Sequence, residues 1–121
     1  MKILDVGQCG VDGPEMEELF TSELDADVLS VDTADEAKQA LREEDFDVVL
    51  VNRVIDADGS SGVDLIGQLK TSGVKTAIML VSDHEDAQEQ AVKLGGVRGF
   101  GKSELGSRET LQKIREAAEQ K

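Results

Sequence analysis

The chain has 121 residues, a formal charge of −13 at neutral pH and one cysteine, Cys9. A length near 120 residues suits a single domain around one core, here residues 1–121, and the net charge repels phosphate backbones, so nucleic acid is not an expected partner of this domain alone. The longest apolar runs, Val48–Val51 and Ala77–Val81, fall well short of the roughly 18 residues a membrane span needs, and three Phe with no Tyr or Trp leave little to stack on a base or a flavin. Lys2–Val6 reads as a first strand, and a glycine-rich loop, Gly7–Gly13, follows it. Pro14 suits a first helical turn, where its missing N–H costs nothing, and Met16, Leu19, Phe20 and Leu24 recur at helical spacing behind it. Asp27–Val31 is a second, weaker strand. Thr33 and Glu36 form a capping-box pattern ahead of a helix striped by Ala34, Ala37, Ala40 and Leu41. Phe46–Asn52 is the clearest strand, and its continuous β-branched run fits the centre of a parallel sheet. A polar loop from Arg53 to Gly62 leads to a third helix marked by Val63, Leu65, Ile66 and Leu69 and stopped at Ser72-Gly73. Thr76–Val81 is a fourth strand. Ala87, Ala91 and Leu94 line a fourth helix that ends at Gly95-Gly96. Val97–Gly101 reads as a short fifth strand, and Leu111, Ile114 and Ala118 stripe a closing helix. Alternating strands and helices of this kind make an α/β fold with a parallel sheet.

The chain resembles a response-regulator receiver domain over nearly its whole length. The resemblance rests on the strand ending at Asn52, on Gly62-Val63-Asp64-Leu65 opening the third helix, on Val81-Ser82-Asp83-His84 closing the fourth strand, and on Gly95-Gly96 and Gly101-Lys102. It implies a flavodoxin-like, doubly wound sheet of five parallel strands in the order 2-1-3-4-5, with five helices on its two faces. In such sheets ligand chemistry gathers at the carboxyl ends of the strands. The resemblance also implies phosphoryl transfer to an aspartate ending the third strand, a divalent cation held with an acidic pair after the first, and phosphoryl contacts from a Ser/Thr and a Lys ending the fourth and fifth. Ser82 and Lys102 match the last two. Asn52 stands at the phosphoacceptor position, and Gly7 and Gln8 stand at the acidic pair. Ser103 replaces the usual proline after the lysine, Gly99 occupies the aromatic switch position, and the loop after Asn52 is about two residues longer than the family norm.

An amide cannot form an acyl phosphate as a carboxylate does, and Mg²⁺ binds through hard, usually carboxylate, oxygens. The chain is therefore expected to be a degenerate pseudo-receiver: not an enzyme, without metal or cofactor, and acting as a phosphorylation-independent protein–protein interaction module with a signalling partner. The alternative is a small-ligand or anion sensor that uses Ser82, Lys102 and the Gly7–Gly13 loop. Asp5 is a candidate displaced acid, with a strand-end carboxylate or a pair with Lys102 as the plainer reading. A trans Lys102–Ser103 bond is expected, because the cis form costs about 2.5–4 kcal/mol without proline. Asp56-Ala57-Asp58-Gly59 lacks the downstream Glu of a calcium loop and reads as a polar turn. Cys9 near a helix start suggests a redox sensor, but it has no second cysteine and sits in an acidic field. His84 is taken as a polar residue at a helix start. Asp5 and Gly7 break the apolar start where a signal peptide would lie, and a lone cysteine fits a reducing compartment, so the expected location is cytoplasmic and away from membranes. The charge is also uneven: residues 1–60 carry 17 acids and 4 bases, residues 61–121 carry 9 of each. Such a half can solubilise the surface or present an acidic face to a basic partner.

Overall fold

The computed structural model describes residues 1–119; Gln120 and Lys121, which the expected domain includes, lie outside the described residues. The elements are β1 (Lys2–Val6), α1 (Asp12–Leu24), β2 (Asp27–Val31), α2 (Ala34–Glu43), β3 (Val48–Asn52), α3 (Gly62–Thr71), β4 (Ala77–Val81), α4 (Glu85–Lys93), β5 (Val97–Phe100), a 3₁₀ turn (Lys102–Glu104) and α5 (Arg108–Glu119). All five strands pair in parallel in the order β2-β1-β3-β4-β5, as expected. No helix of the described residues is long and apolar enough to cross a membrane.

Successive side chains of a strand face opposite sides of the sheet, and the core divides accordingly. Leu4, Val6, Val49, Val51, Ile78 and Leu80 pack with residues of α2, α3 and α4. Ile3, Val48, Leu50, Met79 and Val81 pack with Met16 and Phe20 of α1 and Ile114 and Ala117 of α5. β3 and β4 are buried along nearly their whole length, whereas the edge strand β2 is half exposed, which is why its sequence signal is weak. Local chemistry starts the helices: Thr33 Oγ1 accepts from Glu36 N–H at 3.2 Å ahead of α2, and Ser61 Oγ accepts from Asp64 N–H at 3.2 Å ahead of α3.

Several boundaries differ from the sequence reading. The first helix begins at Asp12, so Gly13 and Pro14 are already helical and the glycine loop is shorter. β3 begins at Val48, because Asp47 turns its carboxylate back to accept Lys2 N–H at 2.7 Å. β5 ends at Phe100, and a bulge sets it off: Met79 and Val81 pair with Val97 and Phe100, one extra residue on β5. On α5 the buried positions are Thr110, Ile114 and Ala117, so the stripe runs through Ala117 and leaves Ala118 only partly covered. Leu94, assigned to the buried side of the fourth helix, lies beyond its end and is 44% exposed.

Candidate functional site at the carboxyl edge of the sheet

The carboxyl ends of β1, β3, β4 and β5 bring Gly7, Asn52, Ser82 and Lys102 to one edge of the sheet. Asn52, Ser82 and Lys102 border one shallow cavity of about 270 Å³, together with Val54, Asp83 and His84. Arg53 also lines it, and the side chains of Asn52, Ser82 and Lys102 are each already engaged. Asn52 Nδ2 donates to the carbonyl of Gly7 at 3.2 Å and to that of Val54 at 2.7 Å, tying the loop after β1 to the loop after β3. Ser82 Oγ accepts the N–H of His84, the residue before α4, at 3.0 Å. Lys102 Nζ is bound to Asp12 Oδ2 at 2.6 Å.

Gly7 is the hinge of this arrangement. It has φ +77°, a left-handed conformation that glycine adopts without steric cost. A Cβ there would come within 2.6 Å of Ile55 Cδ1, because the loop after β3 folds over β1 and buries Ile55 completely against it. The carbonyl of Gly7 also accepts Asp56 N–H at 3.0 Å. The same loop closes with a Val54–Ser61 bridge and a turn in which Asp58 Oδ1 accepts Ser60 N–H at 3.0 Å and Ser60 Oγ–H at 2.7 Å. These serine hydrogen bonds hold the Asp58 carboxyl below its usual range. The Asp56–Gly59 segment is thus a polar turn in which the Asp58 carboxylate is satisfied locally.

The fit of this edge to a divalent cation is poor. The group nearest the end of β3 is an amide whose N–H atoms are spent on two carbonyls, Gly7 has no side chain, and an isoleucine covers it. Hard cations need several oxygen ligands, carboxylates above all. Among the described residues, no group of three or more His, Cys, Asp or Glu side chains could hold a metal ion.

The pairing considered for Asp5 and Lys102 does not occur. Alternation along β1 turns Asp5 to the α1/α5 face, 1% exposed, while Lys102 takes the carboxylate of Asp12 at the start of α1. That ammonium, and next the Cys9 thiol that donates to the same oxygen at 3.2 Å, hold the Asp12 carboxyl below its usual range. Asp12 N–H in turn points to Cys9 Sγ at 3.3 Å. Burial pushes the Asp5 carboxyl up to about 7; the neighbouring Gln8 opposes the rise without making a formed hydrogen bond, and Glu17 adds to it. Gln8 lies beside Asp5, away from the cavity of Asn52, Ser82 and Lys102. The positions read together as an acidic pair, Gly7 and Gln8, therefore contribute to different places.

Gly99 sits in the β5 bulge, where a Cβ would lie 2.0 Å from the carbonyl oxygen of Leu80. Its N–H donates to Gln88 Oε1 at 3.0 Å, and Gln88 Nε2 donates to the carbonyls of Leu80 at 2.9 Å and Ser82 at 3.0 Å. Gln88, 3% exposed, thereby joins α4 to both β4 and β5. Sequence reading missed it; its signal was a polar residue next to Ala87 and three before Ala91 on the buried stripe. Beyond β5, Asp83 accepts Ser103 Oγ–H at 2.5 Å, and the Lys102–Ser103 bond is trans, as expected.

No protein-family model and no curated protein matches this sequence. Solved structures do. The chain is similar to the BeF3-activated N-terminal receiver domain of RstA from Klebsiella pneumoniae, at 20% identity and TM-score 0.85, covering 99% of this chain and 100% of that one. It is similar to the receiver domain of NtrX from Brucella abortus, at 19% identity and TM-score 0.84, covering 98% and 99%. A third is the N-terminal signal receiver domain of a two-component response regulator from Bacteroides fragilis, at 18% identity and TM-score 0.82, covering 99% and 98%. Against a longer NtrX chain the match spans 28% of that chain's length. At these identities the likeness establishes the receiver-type fold.

Proposed function

We propose that this chain is a receiver-type signalling domain that works through protein–protein contact and carries out no phosphotransfer. The fold supports the first part, since receiver domains are what the solved neighbours are called. The observation that carries the second is Asn52, which ends β3 with its amide bonded to Gly7 and Val54. An amide oxygen is neutral and a weak nucleophile, and here its geometry is fixed by the two bonds its nitrogen makes. In this reading Asn52 is a strut between two loops rather than a reacting group. In this reading the domain is not an enzyme: Ser82 Oγ meets the backbone N–H of His84 rather than its imidazole, so no nucleophile–base hydrogen bond is formed at this edge.

An anion sensor at the same edge is disfavoured by the partners of its two supposed ligands. Lys102 already neutralises Asp12, and Ser82 Oγ is engaged by His84 N–H. An incoming anion would have to break the ion pair and then face the released carboxylate.

Treatment with acetyl phosphate and Mg²⁺ followed by intact-mass spectrometry is the test. The expected mass is that of the unmodified chain, and the Asn52→Asp variant is expected to stay unmodified as well, because Gly7 and Gln8 still supply no carboxylate. A phosphorylated aspartate in the native chain sinks the proposal. Efficient labelling of Asn52→Asp would show that another carboxylate completes the site.

A further inference from the structure

We propose that the recess between the carboxyl ends of β1 and β2 and the start of α1 binds an organic cation, through an ammonium or guanidinium group. The recess has a volume of about 440 Å³, within the range of small-molecule sites. Asp5 and Gln8 border it from the sheet side. Both carboxylate oxygens of Asp5, and both the oxygen and the nitrogen of the Gln8 amide, are buried without a hydrogen bond from the protein. Buried polar atoms are ordinarily paired, and an unpaired carboxylate is among the costliest groups to bury. Three of these atoms, the two Asp5 oxygens and the Gln8 oxygen, are acceptors, and three unmet acceptors on two adjacent side chains point to an occupant with several N–H donors.

The charge of the lining selects the sign. Exposed Glu17, Asp32 and Asp56 stand around the recess with Asp5, and among the described residues no Lys, Arg or His lines it. Lys102 lowers the Asp5 carboxyl only as the smallest of the effects on it, and its ammonium is held by Asp12. An anion would meet four carboxyl groups. A bare metal ion would need several oxygens drawn within about 2–2.6 Å, and the acidic side chains here do not converge that way. A guanidinium or ammonium group instead directs separate N–H donors to separate acceptors, and guanidinium pairs with a carboxylate through two parallel hydrogen bonds. The raised pKa of Asp5, caused first by burial, is what a carboxyl shows before a cation reaches it. The cationic group can belong to a free amine or to a basic side chain of a protein partner. Neither case depends on whether Asn52 is inert.

The test is a titration of the full-length ¹⁵N-labelled chain at pH 7.5 with agmatine and, separately, with a capped glycine–arginine–glycine peptide. Mg²⁺ and NaCl at matched ionic strength serve as controls. The expected result is saturating amide shifts confined to residues 5–17 and 30–32 with at least one organic probe. Agmatine alone would assign a free amine, and binding of the peptide would assign a partner side chain. Asp5→Asn should abolish the shifts. Glu17→Gln, at an exposed position that the fold does not need, should weaken the affinity several-fold and decides the matter if Asp5→Asn does not fold. Absence of saturating shifts with both probes, the same shifts from Mg²⁺ or NaCl, or unchanged affinity in Glu17→Gln would overturn the proposal.

Discussion

At the residue scale, two side chains stand out: an amide, Asn52, where the receiver resemblance implies a reacting carboxylate, and a carboxyl group, Asp5, buried inside the sheet where an apolar side chain is the ordinary choice. Asn52 was legible in the sequence because it follows directly on the β-branched run of β3, so its place at the strand's end needed no tertiary information. Its hydrogen bonds to Gly7 and Val54 were not legible, since they depend on how the loop after β3 folds over β1. Asp5 was read as a strand-end acid, and its unpaired burial emerges only once Lys102 is seen to choose Asp12. That burial has a consequence for stability. The folded chain holds the Asp5 proton up to about pH 7, whereas the unfolded chain releases it near the ordinary 3.8. Between those values the folded state binds more protons, so stability falls as pH rises through the window. The full contribution is on the order of 4 kcal/mol if nothing else relaxes. Asp12 acts in the opposite sense, because its carboxyl is held low and its support is lost in acid. Urea denaturation at pH 5 and pH 8 should therefore show a larger loss in the native chain than in Asp5→Asn, by about 2–3 kcal/mol. Equal losses in the two proteins would mean that the Asp5 carboxyl is paired or hydrated in solution.

At the element scale, the fold was readable wherever a signal is local. The β-branched run of β3, the Thr33 cap, the Ser72-Gly73 stop and the glycines after α4 each act within a few residues of themselves, and each stands in the structure where the sequence put it. What stayed hidden depends on contacts between elements. The β5 bulge is set by pairing with β4, and the buried positions of α5 are set by the angle at which it meets the sheet. Gln88 belongs to the same class. Its side-chain amide satisfies the N–H of Gly99, which the bulge leaves without a ladder partner, from a position 3% exposed. Gln88→Leu keeps the volume and removes all three bonds. It should cost about 2–3 kcal/mol, because a buried N–H and two carbonyls lose a partner at once. Hydrogen exchange at the Gly99 amide should accelerate by more than at the amides of β1 or β3. If the exchange rates change uniformly across the sheet, the Gln88 contact is not what holds β5 to α4.

At the scale of the whole molecule, the α/β class and its parallel sheet followed from the alternation of apolar runs with amphipathic stretches, whereas the strand order was implied by the receiver resemblance and not by the pattern itself. The functional coupling of one end of the sheet to another is a separate question, and it is a question about two states. A ligand at the Asn52 edge can reorganise a distant face only through different affinity for two arrangements of it. Here the edge offers a neutral amide already bonded to two loops, a serine engaged by His84 and a lysine paired with Asp12. The face of α4, β5 and α5 is held from the other side by Gln88, and a side chain at Gly99 would meet the Leu80 carbonyl. In the function proposed above, neither end supplies a second arrangement. Under that proposal partner choice falls to fixed charge, either on this face, where Arg98 pairs with Glu85, or on the acidic first half of the chain. Beryllofluoride with Mg²⁺ mimics a phosphoryl group at a carboxylate, so it is the most direct probe of a retained switch. Added to the ¹⁵N-labelled chain, it should leave the amide spectrum of residues 84–108 unchanged and leave partner affinity unchanged at both low and moderate salt. Shifts in that segment, with none in the Ser82→Ala and Lys102→Ala variants, would show that the edge still senses a phosphoryl-like group and transmits it. In that event Asn52 would have to be reread as a group that tolerates the ligand without bonding to it.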